Sequence, residues 1–156
     1  MLETDESHLL AAVELARRAR EKGNHPFGAV LVDQAGAAIL EAENTVLTDH
    51  DCTSHAELNL VRAASRHLDE ATLGGCSLYA STEPCAMCAG AIYWSGIGRV
   101  VYALSGAALR AMVEGGEEAE LALPCRDVFA RGGRTIEVSG PHLETEARTV
   151  HEGFWA

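Results

Sequence analysis

The segment from Ser77 to Ala103 constrains the fold more than any other part of the chain. Ser77 to Ser81 is an apolar run of strand length, and Val100 to Ala103 is another. Between them Pro84 opens a stretch with helical character that runs to Ser95, and proline suits a first helical position. Strand, helix, strand in one sheet is a βαβ unit, so its two strands are parallel and its crossover right-handed. A parallel pair needs helices on the sheet faces.

The rest of the chain fits around that unit. Residues 5–22 are expected to be helical, with Leu9, Ala12, Val13 and Ala16 on one stripe and Gly23-Asn24 as the stop. Phe27 to Val32 and Ala37 to Glu43 read as strands joined by Asp33-Gln34-Ala35-Gly36, a hairpin. A polar loop covers 45–54, and a second helix runs from His55 to Leu68. In that helix Leu58, Val61 and Leu68 share a face while Leu60 and Ala64 lie elsewhere, which predicts burial on more than one side. Leu104 to Met112 is expected to be helical, Glu114 to Glu120 an acidic surface loop, and Thr135 to Val138 a fifth strand. Leu143, Ala147, Val150 and Phe154 share a stripe that predicts a closing helix. The expectation is one domain, residues 1–156, of three-layer α/β/α architecture with a mixed five-stranded sheet.

Composition narrows the function classes. With 47% apolar and 22% charged residues the chain has ordinary globular composition. The opening Met1 to Glu6 has neither a basic start nor an apolar run, so neither a secretory leader nor a membrane span is expected, and a cytoplasmic location follows. The net charge of −11 argues against a phosphate-backbone partner. Arg17, Arg18, Arg20 and Lys22 cluster where cations favour a helix C-terminus. Five cysteines, an odd number, do not make a disulfide framework. Two of them, Cys85 and Cys88, form a Cys-x-x-Cys. Cys52, Cys76 and Cys125 read as packing or loop residues.

Cys85 and Cys88 are three apart at the start of a helix, on one face, where free backbone N–H groups favour thiolate. A thiolate pair suits zinc. His55 begins the other helix and supplies a third ligand. Three protein ligands leave a fourth position for a water or hydroxide, the arrangement of a catalytic zinc site. Glu57, two residues on, is turned off the metal-facing direction and can stand beside that open position to move protons. A lone Cys-x-x-Cys also serves redox or structural zinc sites. The His-x-Glu and Pro-Cys-x-x-Cys pair together is far more specific, and it is the described signature of zinc deaminases.

These stretches resemble the cytidine deaminase superfamily, in the branch of guanine deaminases, tRNA adenosine deaminases and fungal-type cytosine deaminases. The likeness runs from about Leu9 to Arg110 through Pro26-Phe27-Gly28-Ala29-Val30, Asn44, Ser54-His55-Ala56-Glu57 and Ser81-Thr82-Glu83-Pro84-Cys85-Ala86-Met87-Cys88-Ala89-Gly90-Ala91-Ile92-Tyr93-Trp94. It implies the strand order 2-1-3-4-5, one zinc ion per subunit with a bound water or hydroxide, and a homodimer. It also implies hydrolytic release of ammonia from a free nucleobase or nucleoside, with a guanine-like purine first and cytosine or aminotriazine-like rings next. By the resemblance Asn44 bonds the substrate base, Phe27 lines the pocket, and the Ala56 and Cys85 backbone lies against the substrate. Ala91 to Trp94 resembles guanine deaminases, which makes Trp94 a substrate-side residue. His151, Phe154 and Trp155 could cap a neighbouring subunit's pocket, or Phe154 could simply pack the closing helix. An acidic residue that binds the base edge would fall among Glu114, Glu117, Glu118 and Glu120. Two alternatives stand: a tRNA-specific adenosine deaminase, and a non-catalytic zinc-binding scaffold, against which the intact Glu57 argues.

Overall fold

A computed structural model describes residues 1–113 and 121–155. The acidic stretch from Glu114 to Glu120 lies outside the described residues. The elements are α1 (Glu3–Glu21), β1 (Gly28–Val32), β2 (Ala38–Glu43), α2 (Val46–Asp49), α3 (Ala56–His67), α4 (Glu70–Gly74), β3 (Ser77–Thr82), α5 (Ala86–Ser95), β4 (Arg99–Leu104), α6 (Gly106–Met112), α7 (Cys125–Ala130), β5 (Glu137–Ser139) and α8 (Glu144–Thr149). The five strands form one sheet in the order β2-β1-β3-β4-β5. β1 is antiparallel to both β2 and β3, whereas β3–β4 and β4–β5 are parallel. The expected hairpin, βαβ unit and strand order are all present.

Side-chain alternation divides the sheet between two cores. Ala29, Leu31, Leu78, Ala80, Val100 and Tyr102 pack on one face with Leu60, Val61 and Ala64 of α3, Ala89 and Ile92 of α5, and Phe129 of α7. Val30, Val32, Tyr79, Val101 and Ala103 pack on the other with Leu9, Ala12, Val13 and Ala16 of α1 and Ala147 of α8. Covered on both faces, β1, β3 and β4 need apolar residues at nearly every position. That is why they read as continuous runs and not as alternating ones. α1 sits tight against β1. A Cβ on Gly28 would lie 2.4 Å from the Ala12 carbonyl oxygen and 2.6 Å from Leu15 Cβ.

The start of α1 is tied to the sheet by a buried ion pair. Asp5 is fully buried and accepts from Arg99 Nη1 and Nη2, both at 2.9 Å, and from the Tyr79 hydroxyl at 2.6 Å. Its carboxylate also accepts the Leu2 N–H at 2.9 Å, serving a helix end whose cap residue has no side-chain acceptor. The Arg99 guanidinium foremost, with Tyr79 and the Leu2 N–H, holds the Asp5 carboxyl well below the usual carboxylate range.

Four expectations are corrected. The buried stripe of α3 is Ala56, Glu57, Leu60, Val61 and Ala64, with Leu58 only half-buried. Leu60 and Ala64 therefore lie in the packed face and not outside it. Pro84 is not the first residue of α5: Cys85 caps that helix with extended backbone, φ −68° and ψ 170°. The polar loop contains the single turn α2, and α4 and α7 were not anticipated, being only five and six residues long. The closing helix ends at Thr149. Arg20 Nη1 donates to the carbonyls of Val150 (2.9 Å) and Glu152 (2.7 Å), and Gly153 turns with φ 73°. Leu143, Ala147 and Val150 stay on the α1 side of the sheet, and Phe154 leaves that stripe.

Candidate active site

Register decides which residues meet. β1 runs antiparallel to β3 with Ala29 opposite Ala80, so Phe27, just before β1, reaches the edge where β3 ends at Thr82. Gly28 pairs with Glu43, which brings Asn44 to the same edge. This is the carboxyl end of parallel β3 and β4, the usual ligand crevice of an open α/β sheet. Helices α3 and α5 both begin there, one capped by His55 and the other by Cys85, each in extended conformation.

At this edge His55 Nδ1 stands 3.5 Å from Cys85 Sγ and 3.5 Å from Cys88 Sγ. The three ligand atoms lie within 4.8 Å of one another, the grouping a single metal ion requires. It is the only such group of three or more among the described residues. Cys88 is buried, while His55 and Cys85 are half-buried. Hydrogen bonding from the Cys88 thiol first, then from His55, draws Cys85 down to about 4. The Cys88 thiol is driven upward because it donates to Cys85 and is buried. His55 is raised, chiefly by its bond to Cys85. The donor set of two sulfurs and one imidazole, with a thiolate already favoured at Cys85, fits zinc.

Glu57 is 5% exposed, on the buried stripe of α3. Burial foremost, with the neighbouring Cys85 charge, pushes its carboxyl up to about 7. Phe27, His55, Glu57, Thr82, Glu83, Cys85 and Leu109 line a chamber of about 120 Å³. His55, Glu83, Cys85 and Leu109 are shared with a wider cavity of about 450 Å³ that adds Pro84, Met87, Gly106, Arg110, Leu121 and Leu123. The wider cavity falls within the usual size of small-molecule sites.

The remaining anticipated residues divide. Asn44 is buried beside Phe27, its N–H donating to the Phe27 carbonyl at 3.0 Å and its Oδ1 accepting the Val46 N–H at 3.1 Å. Ala56 is the buried first residue of α3, next to His55. Phe154 and Trp155 pack on their own chain: Trp155 lies 6.1 Å from Phe27 and 5.6 Å from His25 between ring centroids, and Phe154 5.9 Å from His25. The Trp155 indole N–H donates to Nδ1 of buried His151 at 3.0 Å. Trp94 is not brought to this group. It is 83% exposed, on the side of α5 turned away from buried Cys88, Ala89 and Ile92.

Two wall residues carried no assigned role in the sequence. Glu83 Oε1 accepts the Gly106 N–H and Oε2 the Cys125 N–H, both at 3.0 Å, so one carboxylate holds the starts of α6 and α7 over the site. An acidic residue just before Pro84-Cys85 was the available signal, but its partners lie 23 and 42 residues away. Thr82 is the other, made visible by strand parity once the sheet is known.

The order of strands, the paired helix starts and the His/Cys/Cys group beside a buried carboxylate define a zinc-dependent deaminase class. The model of the cytidine and deoxycytidylate deaminase zinc-binding region matches residues 2–104, and the chain belongs to this family. It is 41% identical over 157 residues to a probable cytosine deaminase of Schizosaccharomyces pombe, covering 98% of this chain and 93% of that one. It is 42% identical over 103 residues to a tRNA-specific adenosine deaminase of Haemophilus influenzae, covering 66% of this chain and 60% of that one. The solved guanine deaminase of Nitrosomonas europaea superposes with a TM-score of 0.77 at 27% identity, over 93% of this chain and 81% of that one. The chain is a zinc-dependent deaminase.

Proposed function

We propose that this chain deaminates a free nucleobase or nucleoside, a guanine-like purine first and cytosine or aminotriazine-like rings next, acting as a single-domain homodimer in the cytoplasm. One observation carries the reading: Glu57 is buried in a small chamber with an aromatic wall, beside three ligand residues gathered on one side. His55, Cys85 and Cys88 hold zinc. When bound, zinc acts as a Lewis acid and lowers the pKa of a water to about 7, making a nucleophile available at neutral pH.

The other tasks fall to the chain. Glu57 takes one proton from the attacking water at its carboxylate and delivers it to a ring nitrogen. It then takes the second water-derived proton from the oxygen now bonded to the ring and delivers it to the departing amine, which leaves as ammonia. Phe27 gives the ring a flat apolar wall. Asn44 bonds the base edge, and the backbone of Ala56 and Cys85 lies along the substrate. Phe154 and Trp155 close the rim over Phe27 and exclude water. The S. pombe relative, matched along nearly its whole length, supports a free-base substrate.

The test is ammonia release by the zinc-loaded protein from guanine, cytosine, adenine, isoguanine, aminotriazines and their nucleosides. Glu57→Gln is expected to keep its zinc and lose roughly 10²- to 10⁴-fold in turnover. Ammonia release that survives this substitution, or a Glu57→Gln protein without zinc, overturns the division of roles. The likeness to the H. influenzae enzyme favours a second reading, deamination of adenosine in tRNA. The net charge of −11 weighs against it, and nanomolar tRNA binding at moderate salt would establish it in place of the first.

A further inference from the structure

Three buried side-chain oxygen or nitrogen atoms have no hydrogen-bond partner among the described residues: Glu43 Oε1, Thr82 Oγ1 and His151 Nε2. Of the three residues, only Thr82 lines the small chamber with Phe27, His55, Glu57 and Cys85. Thr82 is 3% exposed. Its orientation follows from the strand. Leu78 and Ala80 belong to the core under α3 and α5, and Thr82, two residues further, continues that face past the end of the packed layer. Ser81 has the opposite parity, and its hydroxyl is already used, accepting the Gly28 N–H at 3.0 Å. Adjacent hydroxyls thus have different fates: one ties β3 to β1, and the other, on a residue that lines the chamber, has no partner among the described residues for either its hydrogen or its lone pairs. Folded proteins rarely leave a buried hydroxyl idle.

We infer that Thr82 is a substrate-binding residue whose hydroxyl meets a polar atom on the inner edge of a planar nitrogen heterocycle in this chamber. The inference rests on the deaminase reading of the site. A hydroxyl both donates and accepts, so it can serve a ring N–H, a ring nitrogen or an exocyclic oxygen. It therefore sets which heterocycles are accepted at that edge. A valine there would leave the ring's polar atom buried and unpaired.

The experiment compares the zinc-loaded wild type with Thr82→Val and Thr82→Ser on guanine, cytosine and adenine, reading kcat/KM, zinc content and melting temperature. Thr82→Val is expected to lose roughly 10- to 100-fold in kcat/KM on the preferred base. It should keep its zinc and melt no lower than the wild type, because no bond within the protein is lost. Thr82→Ser should stay within about threefold of the wild type, since it keeps the hydroxyl. Thr82→Val within about twofold of the wild type on every base turned over would overturn the inference, as would a drop in melting temperature and zinc content that tracks the activity loss. A wild type that deaminates none of these bases contradicts the proposed substrate class instead. Equilibrium binding of the same bases then decides the role of Thr82: weaker binding by Thr82→Val supports it, and equal binding overturns it.

Discussion

Acidification from pH 7 to pH 5 should expose the cost of burying His151. The imidazole is 1% exposed, and its Nδ1 accepts the Trp155 indole N–H at 3.0 Å, so the neutral ring carries its proton on Nε2. Burial, with the nearby Arg20 cation, pushes its pKa down to about 4. In the unfolded chain a histidine titrates near 6.5. Above about pH 6.5 both states are neutral and nothing is lost. As the pH falls from 6.5 toward 4, the unfolded chain takes up a proton that the folded chain refuses, and stability declines; below 4 the loss is complete. From these two values the loss between pH 7 and pH 5 is about 2 kcal/mol. Carboxylates and the ligand residues also titrate, so the informative quantity is a difference. Urea unfolding of the wild type and of His151→Phe at both pH values cancels the common part. The wild type should lose about 2 kcal/mol more than the variant. Parallel losses would refute the assignment of a buried neutral imidazole at this position.

Other perturbations test the scaffold and the metal site. Asp5→Asn leaves the Arg99 guanidinium with only the exposed Glu137 carboxylate, 3.3 Å from its Nε, and should destabilise by about 3 kcal/mol in urea unfolding, with kcat of the remaining folded, zinc-loaded enzyme unchanged. Gly28→Ala places a Cβ 2.4 Å from the Ala12 carbonyl oxygen and should separate α1 from β1 at a cost of roughly 1–3 kcal/mol, read as a lower melting temperature. Cys88→Ser removes a buried ligand and should lower bound zinc, melting temperature and turnover together, with wild-type protein stripped by chelator melting close to the variant. Zinc retained at full occupancy in Cys88→Ser would contradict the assigned ligand set.

The Cys85–Cys88 pair, the hairpin and the parallel β3–β4 pair were legible in the sequence because they depend on short-range spacing, whereas the full strand order came with the family resemblance. Cys85 and Cys88 share a helix turn, and two strands flanking that helix must be parallel. The aromatic terminus was half legible. Phe154 fits a helical stripe in sequence, but Arg20, some 130 residues away, binds the Val150 carbonyl and ends that stripe. Trp94 sits beside Tyr93 in a family-like run, yet helix periodicity from buried Cys88 turns it to solvent. The roles of Glu83 and Thr82 were not legible, since one depends on two helix starts 23 and 42 residues away and the other on which residues the sheet register places opposite.

The His-x-Glu and Pro-Cys-x-x-Cys signature determined the chemistry through the family resemblance it carries, supported by ligand type and helix-start spacing, which are local properties that any fold bringing them together must respect. Only the tertiary structure decided what surrounds the zinc ligands. It set Phe27 and Thr82 in one chamber through the antiparallel register of β1 and β3, buried Glu57 deeply enough to shift its pKa, and laid Trp155 against Phe27. Burial and cross-strand register arise from contacts between residues far apart in the chain, and no short stretch of sequence carries them.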